Sequence, residues 1–201
     1  MTTRIDNQRG GPLFTSRGNL YAFSTATGAW YLRMVLQGYS REHICNCVTK
    51  DSLTLLYVGI SPDKIAEPNS RQNLRRRIRT YFQGNAEGST LRRSLGVLLA
   101  GESRYPLCRV GNGKRMTPTH SGEQWLDDWM TENAFVCWLE HQAPWEFEDE
   151  LLGSPSLPLN IKGNRDHPFA RVLAEARIQA IKSVREWPIA LESNQRRKSV
   201  E

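Results

Sequence analysis

Three apolar runs along the chain have the length and spacing of β-strands. Gly28-Ala-Trp-Tyr-Leu-Arg-Met-Val-Leu36 is the first, Leu53-Thr-Leu-Leu-Tyr-Val-Gly-Ile60 the second and Ala134-Phe-Val-Cys-Trp-Leu139 the third; the second is apolar enough to lie at the centre of a sheet. Between and after them the pattern changes to helical spacing. A helix from about Ser70 to Gln83 buries Leu74, Ile78, Tyr81 and Phe82 and stops at Gly84. A second starts near Ser89, with Leu91, Leu95, Leu98 and Leu99 as one stripe, and ends at Gly101. Ser121-Gly-Glu-Gln124 has capping-box spacing and opens a third, with Trp125, Leu126, Trp129 and Met130 on one side. Pro144 opens a fourth that runs to Gly153, and a fifth runs from His167-Pro168 to about Arg185. His167 reads as a surface or capping residue. These elements predict an α+β fold, a small three-stranded sheet covered by helices.

The remaining segments are polar. Residues 1–27 read as an N-terminal arm, 37–50 as a connection, 61–72 as a loop and 102–119 as an irregular insertion rich in Gly, Pro and basic residues. Residues 161–191 read as a helical extension and 192–201 as a charged tail. A chain of 201 residues fits one domain with insertions and is long enough to bury a core without disulfides. Its 39% apolar content and six Trp exclude general disorder.

Net charge is +6, and its distribution says more than its sum. Arg71, Arg75, Arg76, Arg77 and Arg79 share one segment with no acid among them, and Arg92 and Arg93 follow. The acids gather at 123–128 and 146–150. A basic segment of this kind favours a polyanion such as DNA. The four Cys do not form a disulfide framework for a chain of this size, no apolar stretch is long enough to span a membrane, and no signal peptide is evident, so a reducing, cytoplasmic setting is expected. His43, Cys45 and Cys47 alternate along an extended segment, but no second pair with structural-zinc spacing follows them.

Candidate chemistry begins with one acid. At about 100° per residue, Trp145, Phe147, Leu151 and Leu152 span an arc of roughly 160°. Glu148 falls near the middle of that arc, while Glu146, Asp149 and Glu150 fall opposite. A carboxylate on an apolar side needs an arginine, a metal ion or a water-filled cleft. Arg77 and Arg75 flank the apolar face of the arginine helix, Arg76 points away, and Tyr81 lies one turn beyond Arg77. A fixed guanidinium holds two phosphate oxygens at once, although a solvated basic face is the commoner meaning of such a run. Tyr57 stands where a strand meets Gly59; tyrosine is common in strands for packing reasons alone.

Taken in order, Tyr57-Val58-Gly59, Arg77 with Tyr81, Glu148 in Glu-Asp-Glu-Leu-Leu152 and Asn160 in Leu-Pro-Leu-Asn resemble the GIY-YIG nuclease superfamily, over roughly residues 28–160. The look is that of its stand-alone bacterial members. Gly28-Ala29-Trp30 stands as the first tripeptide, with Tyr31 as the alternative aromatic, and residues 31–56 separate it unusually far from the second. The resemblance implies a small three-stranded antiparallel sheet flanked by helices, with extra helices and an insertion loop. It implies a metal-dependent DNA endonuclease using Mg²⁺ or Mn²⁺, with a catalytically weak or inactive nucleic-acid-binding protein as the alternative. By the same resemblance Glu148 ligates the metal, Arg77 holds the phosphate and Tyr57 assists the base that activates water. Tyr81 positions water or phosphate, Asn160 supports the site, and Gly59 and Trp30 belong to the tripeptides. Arg75, Arg76, Arg79, Arg92, Arg93 and the 102–119 insertion are then candidate contacts to the DNA backbone.

Overall fold

The computed structural model describes residues 13–15, 28–34, 47, 49–50, 53–61, 73–140, 144–153, 157–162, 164 and 167–191. In chain order its elements are β1 (Leu13–Thr15), β2 (Gly28–Met34), β3 (Thr49–Lys50), β4 (Leu53–Ser61), α1 (Leu74–Gln83), α2 (Thr90–Leu98), α3 (Ala100–Ser103), β5 (Cys108–Val110), β6 (Arg115–Thr117), α4 (His120–Asn133), β7 (Ala134–Glu140), α5 (Pro144–Gly153) and α6 (Pro168–Arg185). They form an α+β fold. The chain divides into two compact units, residues 1–79 with 131–171 and residues 80–130 with 172–201. Much of the expected N-terminal arm, residues His43 and Cys45, Arg71 and the 192–201 tail lie outside the described residues.

The first unit is built on a sheet of five strands in the order β1-β7-β2-β4-β3, paired antiparallel throughout. The three expected strands are its three long ones. The expectation of three strands is corrected by two short edge strands, β1 and β3, of three and two residues, too short to show a period of their own. Strand β2 is central and pairs along its whole length with both β4 and β7. Between Leu32↔Tyr57 and Arg33↔Leu55 the register shifts, leaving Leu56 as the extra residue of a bulge in β4. Leu55, Val58 and Leu157 form a buried cluster, and Leu152 of α5 packs against it.

The second unit is helical with a small ribbon. Ser89 caps α2 by accepting the Arg92 N–H at 3.2 Å. Leu91, Leu95 and Leu99 form the buried stripe of this helical segment. Gly101 does not end the helical segment: after a break at Leu99, α3 carries it to Ser103. Helix α4 starts at His120, one residue before the expected cap. Thr119 Oγ1 accepts the Gly122 N–H at 3.4 Å, so Thr119 rather than Ser121 fills the capping role. The expected irregular insertion is an antiparallel hairpin of β5 and β6, turning through Gly111 (φ 63°) and Gly113 (φ 80°), conformations open to glycine at little cost.

At the heart of this unit lies a fully buried arginine. The Arg92 Nη2 stands 2.6 Å from Glu123 Oε2, and Nη1 stands 2.8 Å from Asp127 Oδ1. Arg92 Nη1 also donates to the Tyr81 carbonyl at 2.7 Å, while Glu123 Oε1 accepts the Ala86 N–H at 2.7 Å. One guanidinium thus joins the last turn of α1 to α2 and α4. The expectation that Arg92 contacts nucleic acid is therefore corrected: it is 0% exposed and committed to two carboxylates.

At the start of α6, His167 caps as expected: Nδ1 accepts the Phe169 N–H at 3.1 Å, and burial lowers its pKa from the ordinary value. Among the described residues no helix is long and apolar enough to cross a membrane.

Candidate active site

Strand β4 carries Tyr57, Val58 and Gly59, all buried. One edge of this stretch is bonded to β2; beyond the short β3 the other edge meets the segment 157–160. Leu159 N–H donates to the Leu56 carbonyl at 3.0 Å. Asn160 then takes both polar groups of the next outward-facing residue: the Val58 N–H donates to Oδ1 at 2.9 Å, and Nδ2 donates to the Val58 carbonyl at 2.9 Å. The asparagine amide imitates the peptide of an adjacent strand, and that satisfies the backbone of a buried edge. Asn160 is itself 7% exposed, so this is its structural position: it fixes the residue between Tyr57 and Gly59.

Asn160→Ala is expected to leave the Val58 N–H and carbonyl buried without these partners and to cost about 1–3 kcal/mol. Denaturant melts of the two proteins measure it. A change under ~0.5 kcal/mol would mean that water or a shifted loop replaces the amide.

The register places the first tripeptide beside the second. Trp30 pairs with Gly59, Ala29 with Ile60 and Gly28 with Ser61. The long separation in sequence is thus closed by a direct antiparallel pairing, and the alternative aromatic, Tyr31, pairs with Val58.

Helix α1 supplies the arginines. Asn73 caps it by accepting the Arg76 N–H at 2.8 Å, and Leu74, Ile78, Tyr81 and Phe82 are buried. Arg75, Arg76 and Arg79 are exposed, whereas Arg77 is half-buried, the position of a guanidinium beside an apolar face. Tyr81 follows one turn later and is 3% exposed. Arg93 is half-buried and ion-paired with Glu87 at 3.1 Å.

Helix α5 lies against β4 and β2. Glu148 is half-buried while Glu146 and Asp149 are exposed, and Glu148 stands one turn before Leu152, whose side chain packs on the β4 cluster. No group of three or more His, Cys, Asp or Glu side chains able to hold a metal occurs among the described residues. A cation held here would take one carboxylate and complete its shell with water and substrate oxygens. That donor set suits Mg²⁺, which binds through one or two carboxylates and retains several waters.

A family model described as the GIY-YIG catalytic domain matches residues 19–179. The chain belongs to the GIY-YIG family. None of the curated proteins and none of the solved structures gives a match. Membership brings nuclease-type chemistry on a nucleic-acid substrate, and GIY-YIG nucleases generally use divalent metal ions. Within this family frame the pairing of Trp30 with Gly59 and the clasp of Asn160 on Val58 join three motifs around one stretch of β4. Sequence reasoning did not foresee either contact, because both connect segments far apart in the chain.

Proposed function

We propose that this GIY-YIG protein is a metal-dependent DNA endonuclease that hydrolyses phosphodiester bonds in a reducing, cytoplasmic setting. The observation that carries the reading is the clasp of Asn160 on Val58, at 2.9 Å through both amide atoms, which holds Tyr57 and Gly59 on either side in a fixed backbone. Glu148 is the residue that would hold Mg²⁺ or Mn²⁺; when bound, the ion supplies charge stabilisation for the leaving oxygen. Arg77 binds the non-bridging phosphate oxygens and neutralises charge developing on them. Tyr57 receives or relays the proton of the attacking water. An ordinary phenol, with a pKa of ~10, is a poor base at neutral pH, so this role requires positive charge nearby. Tyr81 orients water or phosphate next to Arg77, and Arg75, Arg76 and Arg79 hold the DNA backbone.

Supercoiled plasmid incubated with the protein and Mg²⁺ is expected to be nicked or linearised, with the activity abolished by EDTA. A second reading, a nucleic-acid-binding protein with little activity, is favoured by one feature: Trp30 occupies the aromatic position of the first tripeptide. Absence of cutting by folded protein across Mg²⁺, Mn²⁺ and branched substrates would select that reading.

A further inference from the structure

The β5–β6 hairpin lies in the second unit, within the 102–119 segment whose sequence makes it a candidate DNA contact, and takes no part in the proposed cleavage chemistry. From Ser103 to Gly122 the chain has no Asp or Glu, and it carries Arg104, Arg109, Lys114 and Arg115. The four basic residues are not equivalent. Arg109 is spent internally: Nε donates to the Gly113 carbonyl at 3.3 Å and Nη1 to the Trp187 carbonyl at 3.1 Å. Its own carbonyl accepts the Ala190 N–H at 2.9 Å, in a parallel bridge between Arg109 and Ile189. The ribbon is therefore braced across its turn and bound to the chain that follows α6.

The turn is defined as firmly. Gly113 N–H donates to the Val110 carbonyl at 3.0 Å, and Lys114 N–H to Asn112 Oδ1 at 3.1 Å. A Cβ added at Gly113 would sit 2.9 Å from Arg109 Nη2 and 3.0 Å from Ile189 Cδ1, so the turn closes directly on its brace. Outside this framework Lys114, Arg115 and Arg104 are exposed, Arg104 in a left-handed conformation (φ 61°) that ends α3.

A braced ribbon that spends one arginine on backbone carbonyls and leaves three cations exposed is a polyanion contact whose backbone has little ordering entropy left to lose on binding. We propose that this hairpin is a second DNA-contact element, reading duplex phosphates through Arg104, Lys114 and Arg115, with Arg109 as the internal brace. It contacts phosphates rather than bases, because the turn offers two glycines and an Asn112 whose Oδ1 is already engaged. The proposal rests on DNA being the substrate and adds a contact element to the arginines of α1.

The test is the dissociation constant of a short DNA duplex, measured in EDTA over a range of salt for three proteins. They are the natural protein, an Arg104→Ala/Lys114→Ala/Arg115→Ala variant and an Arg75→Ala/Arg76→Ala/Arg79→Ala variant. Each phosphate contact contributes ~0.9 to the slope of log affinity against log salt. The hairpin variant is expected to have a slope shallower by about 2–3 and to bind more than tenfold more weakly near 0.1 M salt. The loss should be equal for two unrelated sequences. A hairpin variant that binds as the natural protein does, while the α1 variant is weakened, overturns this proposal and leaves the nuclease reading standing. A loss confined to one sequence, or to an RNA duplex, overturns it as well. Absence of duplex binding by the natural protein overturns both.

Discussion

Replacement of Glu148 by alanine is expected to reduce plasmid cutting at least ~10³-fold, while affinity for duplex DNA in EDTA changes less than ~3-fold. The two parts follow from position. Glu148 is half-buried on the side of α5 that packs on the sheet, and the neighbouring acids Glu146 and Asp149 are exposed on other sides of the helix. A helix rotated far enough to bring either into its place would withdraw Leu152 from the cluster of Leu55, Val58 and Leu157, so neither substitutes for it. The affinity remains because removal of one carboxylate takes nothing from the exposed Arg75, Arg76 and Arg79. Glu148→Gln, which keeps the shape and loses the charge, is expected to fall nearly as far. Cutting retained above ~10% in both variants would place the metal elsewhere.

Arg92→Ala is expected to lower stability by about 3–5 kcal/mol, because it leaves the Glu123 and Asp127 carboxylates without their buried cation and removes donors from the Tyr81 and Glu123 carbonyls. For a chain of this length that corresponds to a fall in melting temperature on the order of 10 °C. Local protection by hydrogen exchange is the sharper measure, since two compact units need not melt together. Residues 81–130 should lose protection before β2 and β7 do. Adding Glu123→Gln and Asp127→Asn to an Arg92→Met protein removes all three charges and is expected to recover part of the loss. If Arg92→Ala melts like the natural protein, water has replaced the guanidinium. Its effect on DNA affinity should follow the unfolded fraction and leave the salt slope unchanged, which separates it from the exposed arginines.

Much of the architecture is legible because long periodic segments decide it. The runs 28–36, 53–60 and 134–139 become the three long strands, and α5 matches the stretch from Pro144 to Gly153. What escapes is short or relational. Strands β1 and β3 derive their order from neighbours rather than from a pattern. The β5–β6 hairpin is hidden because Gly, Pro and basic residues dominate it and each strand has only three residues.

The case of Arg92 shows what a single sequence can and cannot mark. Beside Arg93 it reads as surface charge. Yet the periodicity that singles out Glu148 on α5 also marks α4, where Glu123 and Asp127 lie one turn apart among the buried Leu126 and Met130. Carboxylates on that side require a cation, and the arginine of α2 is the answer. The same test therefore points at two acids of different use. Glu123 is answered by a protein side chain, and Glu148 is the acid proposed above to hold the metal ion.

The discontinuity of the first unit also orders events during synthesis. Strand β2 finds β4 soon after it is made, but its other partner, β7, begins only at Ala134, whereas β2 ends at Met34. Until Glu140 has emerged, that flank of β2 has unfilled backbone groups, and closing so distant a pairing is slow. The residues of the second unit from Thr80 to Met130 are contiguous and precede β7. Local helices can therefore form while the sheet still waits, which makes the nascent chain most vulnerable to strand-to-strand association just before its third long strand arrives.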